Sequence, residues 1–574
     1  MKKIFKFIIL IVVVSMTTNG CSYFLEEEVF STSQTDIVFD NLDSAQSVML
    51  SLYALLGDNT ASTDGESGVW TGNGGNDYLS SSNTDECIVR PQNSASSDGQ
   101  VALMAFRSNT PQIRATWVAM YQGIFLANTI LQNIETTPAT SDADIVQKNE
   151  IIAHTKFMRG FYYFYLMTYY GGVPLVTIPE SYDPESLPKR ASVQEVSEFI
   201  ENEWLAALDD IPNNDMTDDG RVGKMGIYAY LAKLNIYMAS MKRYGTGTNI
   251  DNIGGWLKIN SFDWVDDLAR YNKVKEYTDA IYSVKGDNLT SVFQHLFITA
   301  TETNTDVRSE MLFGINFSPI RPRRMQNEFL FRGNSLFGGG AGSLRPTAKI
   351  FYLMNQEFDV RFNTNLMGRP LNGRRDGRIV YNGITYIVPD PVRPRGPLDN
   401  NYHTAKYRNP AKNEEQYPNL ADKDTDINQP LIRYADILLM RAEASYELNG
   451  QTRTQEVTDM LNLVRGRALG LDTSDPNYTT NLQALNTEYF RSDVILELLE
   501  ERIRELAFEG WRRFDLTRTH RYQEMIEGLV ADNYSNFMRP QVNSLKDNFA
   551  PFKMWYPIPL IEVGSGDLTQ NPGF

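Results

Sequence analysis

The chain has 574 residues, of which 42% are hydrophobic, 22% charged and 11% aromatic, with 30 Tyr and 29 Phe. That composition supplies a large core and excludes wholesale disorder. Its 71 acidic and 54 basic residues leave a formal charge of −17, which repels phosphate backbones and excludes the basic fingerprint of a nucleic-acid binder, and two cysteines cannot build a disulfide framework or an all-thiolate zinc site.

At the start of the chain Lys2, Lys3 and Lys6 precede an unbroken apolar run, Phe7–Val14, followed by small and polar residues up to Gly20. This is the plan of a secretory signal, and the run falls short of the ~20 apolar residues of a spanning helix. Further along, Trp117, Tyr121, Ile124, Asn128 and Leu131 recur on one helical face. The run Ile151–Tyr170 is aromatic nearly all round, as expected of a helix buried on several sides, and Gly171-Gly172-Val173-Pro174 ends it. Ser192 and Glu195 form a capping box that opens a helix over Val193–Leu208, closed by Ile211-Pro212. More helices are expected at Lys224–Met241, Leu268–Tyr282, Tyr434–Leu448, Val457–Leu469 and Ser492–Glu509. Successive helical hairpins of this kind resemble a tetratricopeptide-type array without its strict period.

Two stretches differ in texture. Residues 57–99 are rich in Ser, Gly and Asn, and residues 301–430 in Gly, Pro, Asn and Arg. In the second, Ile379–Tyr381 and Ile384–Val388 flank Asn382-Gly383, a hairpin-turn dipeptide. The expected fold is therefore mainly α: helical hairpins forming a scaffold, with a loop-rich irregular half that contains short β-hairpins.

Loops this long are usually functional or mobile. Aromatic rings on such loops can stack against the C–H faces of sugars, while polar side chains read the hydroxyls. Trp70, set among glycines, and Tyr78 qualify, as do Phe329, Phe331 and Phe337 ahead of Gly338–Gly342. The competing reading is that each ring covers a local mini-core, and for the phenylalanines it is the stronger. Arg90 and Asn93 are candidate hydrogen-bond donors. Arg332 belongs to an arginine-rich set, with Arg321, Arg323, Arg324, Arg345, Arg369, Arg374, Arg375, Arg378, Arg393 and Arg395. Such a set could recognise an acidic sugar or carboxylated peptide, although internal pairing with the surplus carboxylates is favoured.

Nothing in the chain spells an enzyme. His154, His295, His403 and His520 have no metal-ligand spacing, and neither a nucleophile elbow nor a phosphate loop occurs, so no metal or cofactor is expected. Cys87 reads as a buried thiol. Arg504 lies three residues after Glu501, and Glu505 three after Arg502, spacings that suit ion pairs on one helix. Arg433 with Asp436, and Glu509 with Arg513, are expected scaffold ties. A catalytic pair formed by Glu505 and Glu509 is the disfavoured alternative.

Several ordered motifs carry a resemblance. Residues Leu431–Ala444 (LIRYADILLMRAEA), Leu461–Ala468 (LNLVRGRA), Glu501–Gly510 leading into Arg513–Arg518, Tyr556-Pro557-Ile558-Pro559 and the terminal Gln570–Phe574 resemble, in order, the signature of the SusD/RagB family. Upstream, Trp117–Asn128, Tyr169–Val176 and Asp359-Val360-Arg361 also match, so the resemblance spans nearly the whole chain. Gly20-Cys21 resembles a bacterial lipobox, with Thr18 where leucine is usual, which implies lipid modification of Cys21 and a mature chain at −20, since residues 1–20 hold three lysines and no acid. The resemblance implies a signal peptide over 1–20 and a single domain over 21–574. Within it, 21–285 is mainly helical with binding loops at 57–110, 286–430 is loop-rich and ligand-facing, and 431–574 is helical. It further implies a surface-exposed outer-membrane lipoprotein, without catalytic activity, that binds oligosaccharides and passes them to a SusC-like TonB-dependent transporter. A peptide-binding member of the family and a glycan-cleaving surface lipoprotein are the alternatives. Thr84-Asp85-Glu86 resembles the acidic motif that starts the family's binding-loop region, yet no aromatic follows between Cys87 and Phe106, where many members place a sugar-stacking tryptophan.

Overall fold

A computed structural model describes residues 38–57, 79–179, 189–245, 258–297, 305–317, 343–366, 376–381, 384–389, 404, 406–407, 428–534, 536, 538–566 and 568–574. The principal helices are α1 (Leu42–Gly57), α2 (Pro111–Asn133), α3 (Asp142–Tyr170), α4 (Val193–Leu208), α5 (Lys224–Gly245), α6 (Asp267–Lys285), α7 (Tyr434–Leu448), α8 (Gln455–Ala468), α9 (Tyr478–Tyr489), α10 (Val494–Leu506) and α11 (Arg512–Arg518). Neighbours in sequence pack together, α2 on α3, α3 on α4, α5 on α6 and α7 on α8, and α6 on α7 joins the two halves. The fold is mainly α, as expected.

Local chemistry sets the ends of these helices. Ser192 accepts from the Glu195 N–H while Glu195 reaches back to the Ser192 N–H at 2.7 Å, so the expected capping box opens α4. Gly171 takes a φ of +79°, a conformation that glycine adopts at low cost, and α3 ends there. The helix expected over 492–509 stops at Leu506, because Phe508 (φ +65°) and Gly510 (φ +84°) turn the chain sharply.

The core is aromatic. From Phe157 onward every residue of α3 is buried, and Phe157, Phe161 and Phe164 meet Tyr230 of α5 with ring centroids 5.2–6.0 Å apart. Phe313 packs edge-on against Phe157 and Phe161. Such tilted ring pairs contribute beyond the area they bury.

The strands are few among the described residues: β1 (Cys87–Val89), β2 (Met311–Ile315), β3 (Leu344–Pro346), β4 (Asp376–Tyr381), β5 (Ile384–Pro389) and β6 (Gln429–Arg433). They form antiparallel pairs, β1 with β3, β2 with β6 and β4 with β5. Tyr381 pairs with Ile384, so the two strands expected to form a hairpin do pair antiparallel, while Asn382-Gly383 lie outside the described residues. The regions read as loops also hold structure that their texture hides: strands β1 to β3, and short helices at Ser97–Ala102, Thr305–Glu310, Ala348–Leu353 and Arg361–Asn365.

Candidate functional site

The feet of the long loop segments are brought together by β2, β6 and the end of α1. Gly57, the last residue before segment 58–78, abuts Ile315 and Phe317; a Cβ there would lie 3.1 Å from each side chain. Phe317, the last residue before segment 318–342, donates its N–H to Asn428 Oδ1 at 2.8 Å, and Asn428 is the first residue after segment 408–427. At the other end of 318–342, Ser343 accepts the Arg90 N–H at 2.8 Å as the β1–β3 pair begins. Three segments from distant parts of the sequence thus start or end at shared positions.

Arg90 and Asn93 sit at the Ser343 end of segment 318–342. Arg90 Nη2 donates to Asn93 Oδ1 at 3.1 Å, and Asn93 Nδ2 donates to Ser343 Oγ at 3.2 Å, so the two expected donors are neighbours and half-buried. Trp70, Tyr78, Phe329, Phe331, Arg332, Phe337 and Cys21 lie outside the described residues. Of the arginine-rich set, Arg345 is buried within β3, and Arg378 lies on β4 with its side chain undescribed; the others fall outside.

The acidic motif is an anchor. Residues 79–89 are buried throughout. Asp85 receives a forked pair of 2.7 Å bonds from Arg512 and a 2.6 Å bond from Lys349. Burial pushes its carboxyl up, but Arg512 and Lys349 override it and hold it well below the usual carboxylate range. No described cation bonds Glu86 directly, although Arg512 and Lys406 act on it from a distance. Burial raises its carboxyl to about 7, and it accepts the Phe508 N–H at 2.9 Å. Asn83 is gripped by Arg513 and by the Tyr556 hydroxyl, which itself donates to Leu79 O at 2.7 Å. Cys87 is buried, as expected.

Beneath the motif lies a buried ion network. Arg433 reaches Glu509 (2.7 Å), Glu310 (2.7 Å) and Glu505 (3.0 Å). Arg361 pairs with Asp359, Glu501 and Glu505, and Arg465 with Glu497 and Glu501. Lys406 donates to Glu509 and to the carbonyls of Glu505 and Ala507, which fixes it to the 505–510 turn. Burial lowers the Lys406 ammonium to about 8.

Several expected partners are corrected here. Arg433 does not pair with Asp436, which instead binds Lys233 and Arg502 at 2.7 Å each. Arg513 serves Asn83, Tyr522 and backbone carbonyls rather than Glu509. The Arg504–Glu501 pair forms at 3.1 Å, but Arg502 turns to Asp436 and Asp515, leaving Glu505 to Arg433, Arg361 and Arg467. Helix α10 is buried on every side, so long-range partners displace those one turn away. Burial pushes Glu505 up, yet the three guanidiniums hold it at about 2. Glu505 and Glu509 are thus paired with cations and enclosed, an arrangement that ties the scaffold together.

Comparison with known proteins agrees with this architecture. Residues 343–574 match the model of the SusD family, and residues 34–237 match a model described as starch-binding associating with outer membrane. A SusD-like protein of Formosa agariphila is 22% identical, covering 97% of this chain and 96% of the relative, and a SusD-like protein of Bacteroides ovatus is 22% identical over 62% and 59%. Among solved structures, a SusD homolog from Bacteroides thetaiotaomicron superposes with a TM-score of 0.67 at 19% identity, covering 94% of this chain and 99% of that one. Surface glycan-binding protein A from the same species, solved in complex with laminarihexaose, gives 0.63 at 17% identity over 92% and 99%. With two matched models spanning about three quarters of the sequence, and the ordered motifs fastening the loop feet, this chain belongs to the SusD/RagB family.

Proposed function

We propose that this chain is a surface-exposed, lipid-anchored outer-membrane protein that binds oligosaccharides and hands them to a SusC-like TonB-dependent transporter without cleaving them. The observation that carries the reading is the convergence of three loop-segment feet on a buried, ion-paired base. A fixed base where such segments begin and end suits capture, because specificity can then rest on the segments and not on the scaffold. Support comes also from the relatives: one matched structure is named as laminarin-binding, and another holds laminarihexaose. Cys21 would carry the acyl anchor, and several acyl chains at ~0.8 kcal/mol per buried methylene hold a soluble body at a bilayer.

Trp70 is proposed as the stacking platform, with Tyr78, Arg90, Asn93, Phe329, Phe331, Arg332 and Phe337 around the ligand. The absence of an aromatic between Cys87 and Phe106 is the specific observation that keeps a peptide ligand as the second reading. Titration of the protein and its Trp70→Ala variant with a panel of neutral oligosaccharides tests the platform. Loss of one stacked ring is expected to weaken binding about tenfold; full affinity in the variant would remove Trp70 from the site.

A further inference from the structure

A groove of about 500 Å³ opens on the helical face, walled by the end of α6, by α7, α8 and the start of α9, with none of the loop feet in its lining. Its volume lies within the ~300–1,000 Å³ usual for small-ligand sites. Two half-buried rings, Tyr282 and Tyr478, and two leucines, Leu463 and Leu482, give it apolar walls.

The polar groups are held in place before any ligand arrives. Arg441 lies over the Tyr282 ring at 4.1 Å and is spent on Asp279 (2.8 Å) and Glu456 (2.6 Å), which fixes the ring and leaves no unpaired cation among the described lining residues. Asp287 accepts the Tyr282 hydroxyl through Oδ1 at 2.6 Å. Asp459 accepts from Gln455 through Oδ1 at 2.8 Å, and Asn462 accepts from Asn486 through Oδ1 at 2.7 Å. Each bond orients a side chain and leaves its second polar atom over. Among the described residues the Oδ2 atoms of Asp287 and Asp459, the Asn462 Nδ2 and the Tyr478 hydroxyl have no protein partner.

We propose that this groove is a second oligosaccharide-binding site, specific for neutral sugars. A sugar hydroxyl both donates and accepts, so it can use oriented acceptors and donors side by side, while the C–H faces pack on the tyrosines. Acidic saccharides are turned away by Asp287, Asp459 and Glu456. A basic peptide offers cations to the carboxylates and backbone carbonyls to the Asn462 N–H, and is the competing occupant that the titration separates. The inference concerns a place other than the loop cluster and stands without it.

The test is calorimetric titration of the full chain with laminarihexaose and a panel of other neutral hexasaccharides, alongside Tyr478→Ala, Asn462→Arg and Trp70→Ala. Asn462→Arg fills the groove from a half-buried position and serves if Tyr478→Ala melts early. Both groove variants are expected to weaken one binding event about tenfold or more, with that event intact in Trp70→Ala. Binding unchanged in both groove variants, or groove-dependent binding of a lysine-rich peptide and of no saccharide, overturns the proposal. Loss of all binding in Trp70→Ala alone also overturns it while the loop-cluster reading stands. Loss confined to the groove variants does the reverse, and a panel in which nothing binds removes both.

Discussion

Arg433 shows what a buried guanidinium does in this chain. Its partners Glu310, Glu505 and Glu509 lie 72 to 123 residues away, so it joins β6, the end of α10 and the residues before β2 at one point. Removing it leaves three buried carboxylates short of a cation. Arg433→Met is expected to cost about 3–5 kcal/mol in chemical denaturation, whereas Arg90→Ala, at a half-buried position, should change stability by less than about 1 kcal/mol. Two of the shifted carboxyls, Glu505 and Glu86, predict opposite pH behaviour. Glu505, held low at about 2, contributes stability that is present above its unfolded value and lost as pH falls toward 2. Glu86, raised by burial from 4.5 to about 7, is protonated in the folded state where the unfolded chain is ionised, so its contribution falls as pH rises through that window. Glu86→Gln should flatten the decline between those two pH values by on the order of 3 kcal/mol, measured as denaturation midpoints against pH.

At the scale of elements, the sequence made most of the long helices legible because their signals are local. The capping box of α4, the all-round aromatic run of α3 and the stripe of α2 need only neighbouring residues. Helix α1 is not among the expected elements, although Leu42, Ala45, Met49, Leu52 and Leu56 repeat at spacings of three, four, three and four, a stripe as clear as that of α2. The short strands were hidden for a different reason: β1, β2 and β3 find their partners in distant segments, so no turn beside them announces the pairing. The ion partners were hidden likewise, since spacing along α10 says nothing of Asp436 or Arg467. One glycine tests the packing of α2 on α3. A Cβ at Gly123 would fall 2.3 Å from the Tyr162 ring, whose hydroxyl is tied to Leu52 O at 2.6 Å and cannot move aside. Gly123→Ala should therefore destabilise by about 1–3 kcal/mol, despite the ~1 kcal/mol that alanine gains in a helix. Gly564, with nothing within 4 Å, should accept alanine without loss; thermal melts of the two variants make the comparison.

Across the whole molecule, the family motifs and the loops divide the labour. Arg513 and Tyr556 fasten residues 79–83, the 505–510 turn fastens Glu86 and Lys406, and β6 starts directly after Asn428 and ends at Arg433. The residues most readable as a family signature are therefore those that hold the feet of the loops, and the residues that would meet a ligand are those that local pattern specifies least. The proposed site is read from texture alone, as stretches rich in Gly, Ser, Asn and Arg, and of its expected residues the described ones are Arg90 and Asn93, which bond to each other. The role proposed for the whole chain is capture without chemistry. The most direct measurement incubates the purified chain with a panel of neutral polysaccharides and follows both retention in affinity gels and the release of reducing ends. Retardation by at least one polysaccharide with no new reducing ends is the predicted result; release of reducing ends that scales with protein concentration would contradict it.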